Sequence, residues 1–384
     1  MTQPRRHIIL TVNAAWNIWN FRRALVQALL DDGHRVTILA PSVDSVADTS
    51  VAALQAMGAR FVPLEMSAKG LNPLEGLALW RAYRAAYRRE APDVVLGFTI
   101  KPNIFGAMAA RGLPITFVPN VTGLGTAFLS GGLSGGLLRR LAQGLYRYAF
   151  RPLPVVFFQN DDDRALFEAE GLVQPKQARI LPGSGIDTDD FAPAPAPDRG
   201  PDDGPVFLMI ARLLRDKGVR EFVEAARLLR AEGVAARFQL LGAVGAPNRS
   251  AIGQEELDGW LREGVVEYLG TTDDVRPAIA AAHCVVLPSY REGAPRTLIE
   301  AAAMARPVIA TDVPGCRAVV DHGHTGFLCA VRDAEALAEA CRSFLALSND
   351  ARTAMGTAGR AKMVSEYDVA RVIEAYRRVV EEQG

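Results

Sequence analysis

Short apolar runs alternate with segments of helical spacing along the whole chain. In the first half Ile8 to Val12, Val36 to Ala40, Phe61-Val62, Val94 to Gly97, Ile115 to Val118 and Val155 to Phe158 read as strands. Trp19 to Leu30 carries Leu25, Val26, Leu29 and Leu30 as an apolar stripe, stopped by Gly33, and reads as a helix. The pattern restarts at Val206 to Ile210 and continues through Phe238 to Leu241, Tyr268-Leu269, Cys284 to Leu287 and Val308 to Ala310, which completes the second sheet. Strands that are apolar throughout, separated by helices, imply parallel sheets covered on both faces. Ligands of such sheets sit beyond the carboxyl ends of the strands. That directs attention to the loops Asn13 to Asn20, Thr99 to Asn103 and Asn120 to Thr126 in the first half.

The 384 residues exceed one ordinary core. A proline-rich stretch separates the two series of strands, so the expected division is residues 1–190, a linker over 191–204, and 205–365. A closing segment, 366–384, carries Val372, Ile373, Tyr376 and Val380 on one helical face.

Composition is that of a soluble globular protein, with 49% hydrophobic and 22% charged residues. The four cysteines lie in the second half without CxxC spacing and ask for no oxidising compartment. The uncharged stretch from Gly112 to Leu138 is too rich in Gly, Pro, Thr and Asn for a membrane span. A cytoplasmic protein is expected. Net charge is zero yet unevenly spread: residues 1–151 hold 17 Lys/Arg against 8 Asp/Glu, a net +9 that the remainder balances with −9. The first half is therefore expected to face something anionic. Leu79 to Arg89 mixes Trp80, Tyr83 and Tyr87 with Arg81, Arg84, Arg88 and Arg89. Leu137 to Arg151 mixes Tyr146, Tyr148 and Phe150 with Arg139, Arg140, Arg147 and Arg151. Taken together, these two segments suit helices lying on an anionic membrane surface. No basic run or recognition motif supports nucleic-acid binding.

The candidate chemistry centres on residues 288–300, Pro-Ser-Tyr-Arg-Glu-Gly-Ala-Pro-Arg-Thr-Leu-Ile-Glu. A strand, a Gly/Pro loop and a helix N-terminus follow one another there, which suits a bound phosphate. Glu292 lies in the loop and Glu300 eight residues on, in an alanine-rich helix where a solvated face is less expected. Arg212 and Lys217 follow the strand Val206 to Ile210, placed to neutralise a diphosphate. The Glu-x7-Glu spacing resembles that of the retaining GT-B glycosyltransferases of family 4. So do Arg212-Leu-Leu-Arg-Asp-Lys217-Gly218, Thr311-Asp-Val-Pro-Gly315 and Gly323-His-Thr-Gly-Phe-Leu328.

The resemblance spans nearly the full chain. It implies a GT-B fold, two Rossmann-like domains facing across a cleft, with the closing helix crossing back to the first. It implies that Arg212 and Lys217 hold the donor diphosphate, that Glu292 contacts the donor sugar and that Glu300 contacts the ribose. Gly242 and Tyr268 would line the nucleotide pocket, and Gly293, Ala294, Thr297 and Leu298 would belong to the donor loop. Glu292, Arg212 and Lys217 would carry catalysis. On the acceptor side Asn13 to Asn20 and Lys101-Pro102-Asn103 are closest to a CapM/PglA-like branch that assembles lipid-linked glycans. Asn17 and Asn20 are thus candidates for sugar hydroxyls, or Asn20 for a helix cap. Thr122-Gly123 stands where relatives place a His before Gly-Leu-Gly, so the His role does not carry over.

The expected reaction moves a sugar, an N-acetylated hexose in that branch, from a UDP-sugar to a polyprenyl-diphosphate-linked saccharide. The site would be the cytoplasmic face of the inner membrane. The alternative of the same fold is a nucleotide-sugar 2-epimerase acting without an acceptor; a phosphorylase would need a pyridoxal-phosphate lysine in a matching context. No cofactor and no metal are expected. Asp161-Asp162-Asp163 imitates a metal-binding Asp-x-Asp, but carboxylates capping the helix that follows explain it. His322-Gly-His324 has no third ligand nearby in sequence.

Overall fold

In the computed structural model, which describes residues 4–42, 49–66, 73–123, 132–197, 204–245, 248 and 250–383, the chain forms two compact units. One comprises Met1–Gly185 with Val369–Gly384, the other Ile186–Asp368.

The first unit is built on a seven-stranded parallel sheet. Its strands are β1 (His7–Thr11), β2 (Arg35–Ala40), β3 (Arg60–Pro63), β4 (Val94–Phe98), β5 (Thr116–Val121), β6 (Val156–Phe158) and β7 (Ala178–Ile180), in the order β3-β2-β1-β4-β5-β6-β7. The second unit holds six strands, β8 (Val206–Ile210), β9 (Arg237–Leu241), β10 (Glu267–Tyr268), β11 (Cys284–Leu287), β12 (Val308–Thr311) and β13 (Gly326–Cys329), ordered β10-β9-β8-β11-β12-β13. Every pairing within both sheets is parallel. Strand order reverses between β1 and β4 in one unit and between β8 and β11 in the other. Such switch points leave a crevice at the strands' carboxyl ends.

Two edge strands lie outside the expected set. β7 is half-exposed Ala-Arg-Ile, and β13 extends the second sheet one strand past β12, where the expectation closed it. Edge strands face solvent on one side, so a continuous apolar run is not required of them. The first helix spans Ala15–Asp31 rather than starting at Trp19. Its N-cap is Ala14, so Asn20 does not cap it. The aspartates 161–163 likewise do not supply the cap of their helix. Asn160 does, its Oδ1 accepting from the Asp163 N–H at 2.8 Å, while the three carboxylates lie in the first turn against the dipole.

The basic helices Pro73–Glu90 and Gly132–Phe150 turn their aromatics inward. Tyr83, Tyr87, Tyr146 and Phe150 are all buried in the core beside the sheet. The aromatic–arginine mixture that suggested a lipid interface is thus mostly core packing. Some arginines are also engaged: Arg84 donates to the Ala109 and Arg111 carbonyls, and Arg139 pairs with Glu170 at 2.6 Å. Leu74, Leu77, Leu141 and Tyr148 remain exposed on these two helices, with Arg81, Arg88 and Arg140. No helix among the described residues is long and apolar enough to cross a membrane.

The change of unit falls a few residues from the expected boundaries. Ile186 bridges Asp368 and its N–H donates to the Tyr367 carbonyl, so the chain enters and leaves the second unit side by side. The start of the expected linker packs on the second unit, Arg306 donating to the Ala194 and Pro195 carbonyls; residues 198–203 of that linker lie outside the described residues. The helix Val369–Gln383 returns to the first unit and buries Val372, Tyr376, Val379 and Val380 among strand residues of its sheet. Asn120 Nδ2 donates to the Tyr376 hydroxyl at 2.9 Å, and Arg377 forms a two-pronged pair with Asp32. Removing that hydroxyl by Tyr376→Phe strands a buried amide N–H. The substitution is expected to destabilise the first unit by about 1–3 kcal/mol, read as an earlier urea transition; an unmoved transition would show the bond to be dispensable.

Candidate functional site

In the second unit the carboxyl ends of β8 and β11 lie side by side, and the loops that follow them carry Arg212, Lys217 and Glu292. Lys217 ends a short 3-10 turn, Arg215–Lys217, closed by Gly218 in the left-handed conformation (φ 78°). A β-carbon on Gly218 would stand 2.0 Å from the Pro288 carbonyl oxygen, so only glycine lets the two loops touch there. The contact is reinforced by the Tyr290 N–H and the Ser289 hydroxyl, both donating to the Asp216 carbonyl. As a result Lys217 Nζ reaches Glu292 Oε1 at 2.5 Å, with the carboxylate side chain only 12% exposed. Arg212 is exposed, and no side-chain partner engages it among the described residues.

The loop bearing Glu292 is also held from behind. The Gly315 N–H donates to the Glu292 carbonyl at 3.2 Å, and a β-carbon at Gly315 would stand 2.5 Å from the Gly293 carbonyl oxygen. The helix Arg296–Ala303 opens directly after this loop, its N-cap Pro295 leaving first-turn N–H groups without a side-chain cap. The Thr297 hydroxyl donates to the Ile210 carbonyl at 3.0 Å, tying the helix start to the end of β8. Leu298 is fully buried and its N–H is taken by the Pro295 carbonyl, so its contribution is packing. Gly293 and Ala294 are half-buried in the loop.

Glu300 is 8% exposed, and burial raises its carboxyl above the usual range, opposed by Arg296 and abetted by the nearby charge of Asp274. Arg296 Nε meets Glu300 Oε1 at 2.6 Å. Arg296 was not singled out from the sequence; its i,i+4 spacing to Glu300 was the available signal. Gly242 has φ 143° and passes so close to Ala211 that a β-carbon would stand 1.9 Å from its carbonyl oxygen. The Tyr268 hydroxyl donates to the Gly242 carbonyl at 3.0 Å, so these two residues meet at the ends of β9 and β10. A cation beside a carboxylate, a second free guanidinium and a helix N-terminus together can hold a diphosphate and a hydroxylated ligand.

In the first unit the switch point between β1 and β4 gathers the residues expected on the acceptor side. Asn17 and Asn20 lie in the first turns of Ala15–Asp31. Asn17 Nδ2 donates to Asn13 Oδ1, and Asn20 Nδ2 to the Trp16 carbonyl. Lys101 is half-buried, with its amine lowered by that burial, and precedes a π-turn, Pro102–Gly106. Thr99 before it holds φ 70°, a strained value for a β-branched residue. Thr122 and Gly123 follow β5 and are half-buried; the Leu124-Gly125 that completes their motif lies outside the described residues.

Comparison with known proteins agrees with this division. Residues 18–184 match the family model described as "Glycosyl transferase 4-like domain", and residues 204–346 match "Glycosyl transferases group 1". The N,N'-diacetylbacillosaminyl-diphospho-undecaprenol alpha-1,3-N-acetylgalactosaminyltransferase of Campylobacter jejuni is 27% identical over 85% of this chain and 86% of its own. Sucrose-phosphate synthase from Thermosynechococcus elongatus superposes with a TM-score of 0.79 at 19% identity, covering 98% of this chain and 99% of that one. Anabaena HepE in complex with UDP gives 0.75 at 16%, over 98% and 99%. With both units matched in order and the two switch-point sheets shared, the chain belongs to the GT-B glycosyltransferases, its halves being a glycosyl transferase 4-like domain and a group 1 domain.

Proposed function

We propose that this glycosyltransferase moves a sugar, an N-acetylated hexose, from a UDP-sugar to a polyprenyl-diphosphate-linked saccharide, with retention and without a metal. The observation that carries the donor half is the meeting of Lys217 and Glu292 at the β8–β11 switch point beside the unpaired Arg212. As the anomeric carbon separates from the leaving diphosphate, negative charge grows on the phosphate oxygens, where Arg212 and Lys217 stabilise it. An ammonium has three donors, so Lys217 can serve a phosphate while still holding Glu292. Glu292 then accepts from donor-sugar hydroxyls, and Glu300, oriented by Arg296, accepts from the ribose. The UDP found in complex with HepE supports the nucleotide. The undecaprenol-linked substrate in the name of the Campylobacter relative supports the acceptor class and the N-acetylated sugar. Work on such an acceptor places the protein at the cytoplasmic face of a membrane, with Leu141, Tyr148 and the exposed arginines of the two basic helices as the contact.

Direct UDP titration of four variants tests the division of labour. Arg212→Ala and Lys217→Ala are expected to lose both turnover and UDP affinity. Glu300→Gln forfeits charge-assisted bonds of roughly 1.5–3 kcal/mol, about ten- to a hundredfold in UDP affinity. Glu292→Gln is expected to abolish most turnover while UDP still binds as in the parent. Equal loss of UDP affinity in both glutamate variants would refute the assignment.

Turnover is expected to survive excess EDTA; loss that magnesium or manganese restores would establish a metal requirement. Binding to anionic vesicles is expected to fall with salt, because exposed charges are screened within about 10 Å at 0.1 M. It should fall again when Arg81, Arg88 and Arg140 become Gln. Arg84 and Arg139 are unsuitable for this test because they hold carbonyls or Glu170 within the fold. Undiminished vesicle binding by the triple variant would remove these helices from the interface.

A further inference from the structure

The second unit has a cavity of about 420 Å³ at the end of its sheet opposite Arg212, Lys217 and Glu292. Pro205, His283 and Pro307, which line it, immediately precede β8, β11 and β12. A strand of this length separates it from the donor residues by about 15 Å. Two guanidinium groups reach this cavity. Arg306 is 4% exposed and gives four hydrogen bonds, all to carbonyl oxygens: Ile279, Ala194, Pro195 and Ala280. Arg352 donates Nε to the Phe344 carbonyl and Nη2 to that of Leu345, and lies over the Phe344 ring. Its Nη1 is engaged by nothing among the described residues.

Neither arginine meets a carboxylate among the described residues, and no described Asp or Glu lines the cavity. Elsewhere in this unit the arginines are commonly paired, as Arg237 is with Glu267 and Arg342 with Glu232. Burial lowers the pKa of both Arg306 and Arg352. Carbonyl dipoles compensate a buried cation less than an anion does. The architecture nonetheless holds the pair in place. Ala305 takes a left-handed φ of 57°, and Gly356 lets the helix Asn349–Lys362 press against the Ala305 carbonyl, where a β-carbon would come within 2.2 Å. That helix turns Asn349, Thr353 and Thr357, spaced four apart, toward the same cavity.

The geometry points to a second ligand site here, for a phosphorylated molecule of monosaccharide size. Its phosphate lies on Arg352 Nη1 with Arg306 behind, and its hydroxyls on Asn349, Thr353 and Thr357. The cavity volume falls in the ordinary range for small-ligand sites. The site is separate from the donor site and does not depend on the reading of it.

Isothermal titration with glucose 6-phosphate, and with inorganic phosphate for comparison, tests this on the full chain. Glucose 6-phosphate is expected to bind more tightly than inorganic phosphate. Its affinity is expected to drop at least about tenfold, about 1.4 kcal/mol, in Arg352→Gln. The same drop is expected in Thr353→Glu, which adds a carboxylate at an exposed helical position and leaves the packing untouched. Lys217→Ala, at the other end of the sheet, is expected to leave the affinity for glucose 6-phosphate unchanged. No binding, binding unaffected by both cavity variants, or binding lost in Lys217→Ala would each overturn the site. Inorganic phosphate binding as tightly as the sugar phosphate would overturn the monosaccharide-sized occupant.

Discussion

The candidate site of the second unit depends on one close approach, that of Gly218 to the Pro288 carbonyl. Two strands that are neighbours in the sheet lie far apart in sequence, and their loops would ordinarily splay to make room for side chains. Glycine removes that need, and its left-handed φ turns the chain straight into the helix Val219–Ala231. Lys217 is thereby delivered to Glu292, although 75 positions separate them. Gly242 against Ala211 and Gly315 against Gly293 repeat the device at the two flanks. The charged groups are positioned by backbone contacts rather than by a network of their own.

Each of the two central glutamates meets a cation before any ligand arrives. Lys217 holds Glu292, and Arg296 holds Glu300. A buried carboxylate with no partner would take up a proton and lose the ability to accept strong hydrogen bonds. At Glu300 the Arg296 guanidinium opposes that, although burial still raises the carboxyl above its usual range. Arg212 has no such duty and remains open to solvent.

The strands buried on both faces were legible because each shows as a continuous apolar run, whereas Glu292, Glu300, Arg212 and Lys217 stood out through the resemblance of their motifs to a known family rather than through spacing alone. The edge strand Ala178–Ile180 was harder to place, since partial exposure relaxes the pattern that marks a strand, whereas Gly326–Cys329 is apolar but only four residues long. In the basic helices only the aromatic face was misread, and for a related reason. A period of 3.6 places aromatics and arginines on recognisable faces, but it does not say whether the aromatic face meets lipid or a sheet; Tyr83, Tyr87 and Tyr146 meet a sheet. The caps were misread because Asn and Asp are interchangeable there, and Asn160 happened to stand one residue before the acidic run. The Arg306 and Arg352 cavity left no local mark at all, being assembled from residues 194 to 357.

The first unit is assembled from two stretches of chain, Met1–Gly185 and Val369–Gly384, with the whole second unit inserted between them. This sets an order on the ribosome, where chains emerge from the N-terminus and domains fold as units. The second unit is complete once Asp368 has emerged and can close while synthesis continues. The first unit, although made first, cannot finish. Phe98 and Phe157, which meet Tyr376 edge-on in the finished protein, must wait for it through the translation of more than half the chain. During that interval the face of the sheet that this last helix covers in the finished protein has nothing of its own chain to close it.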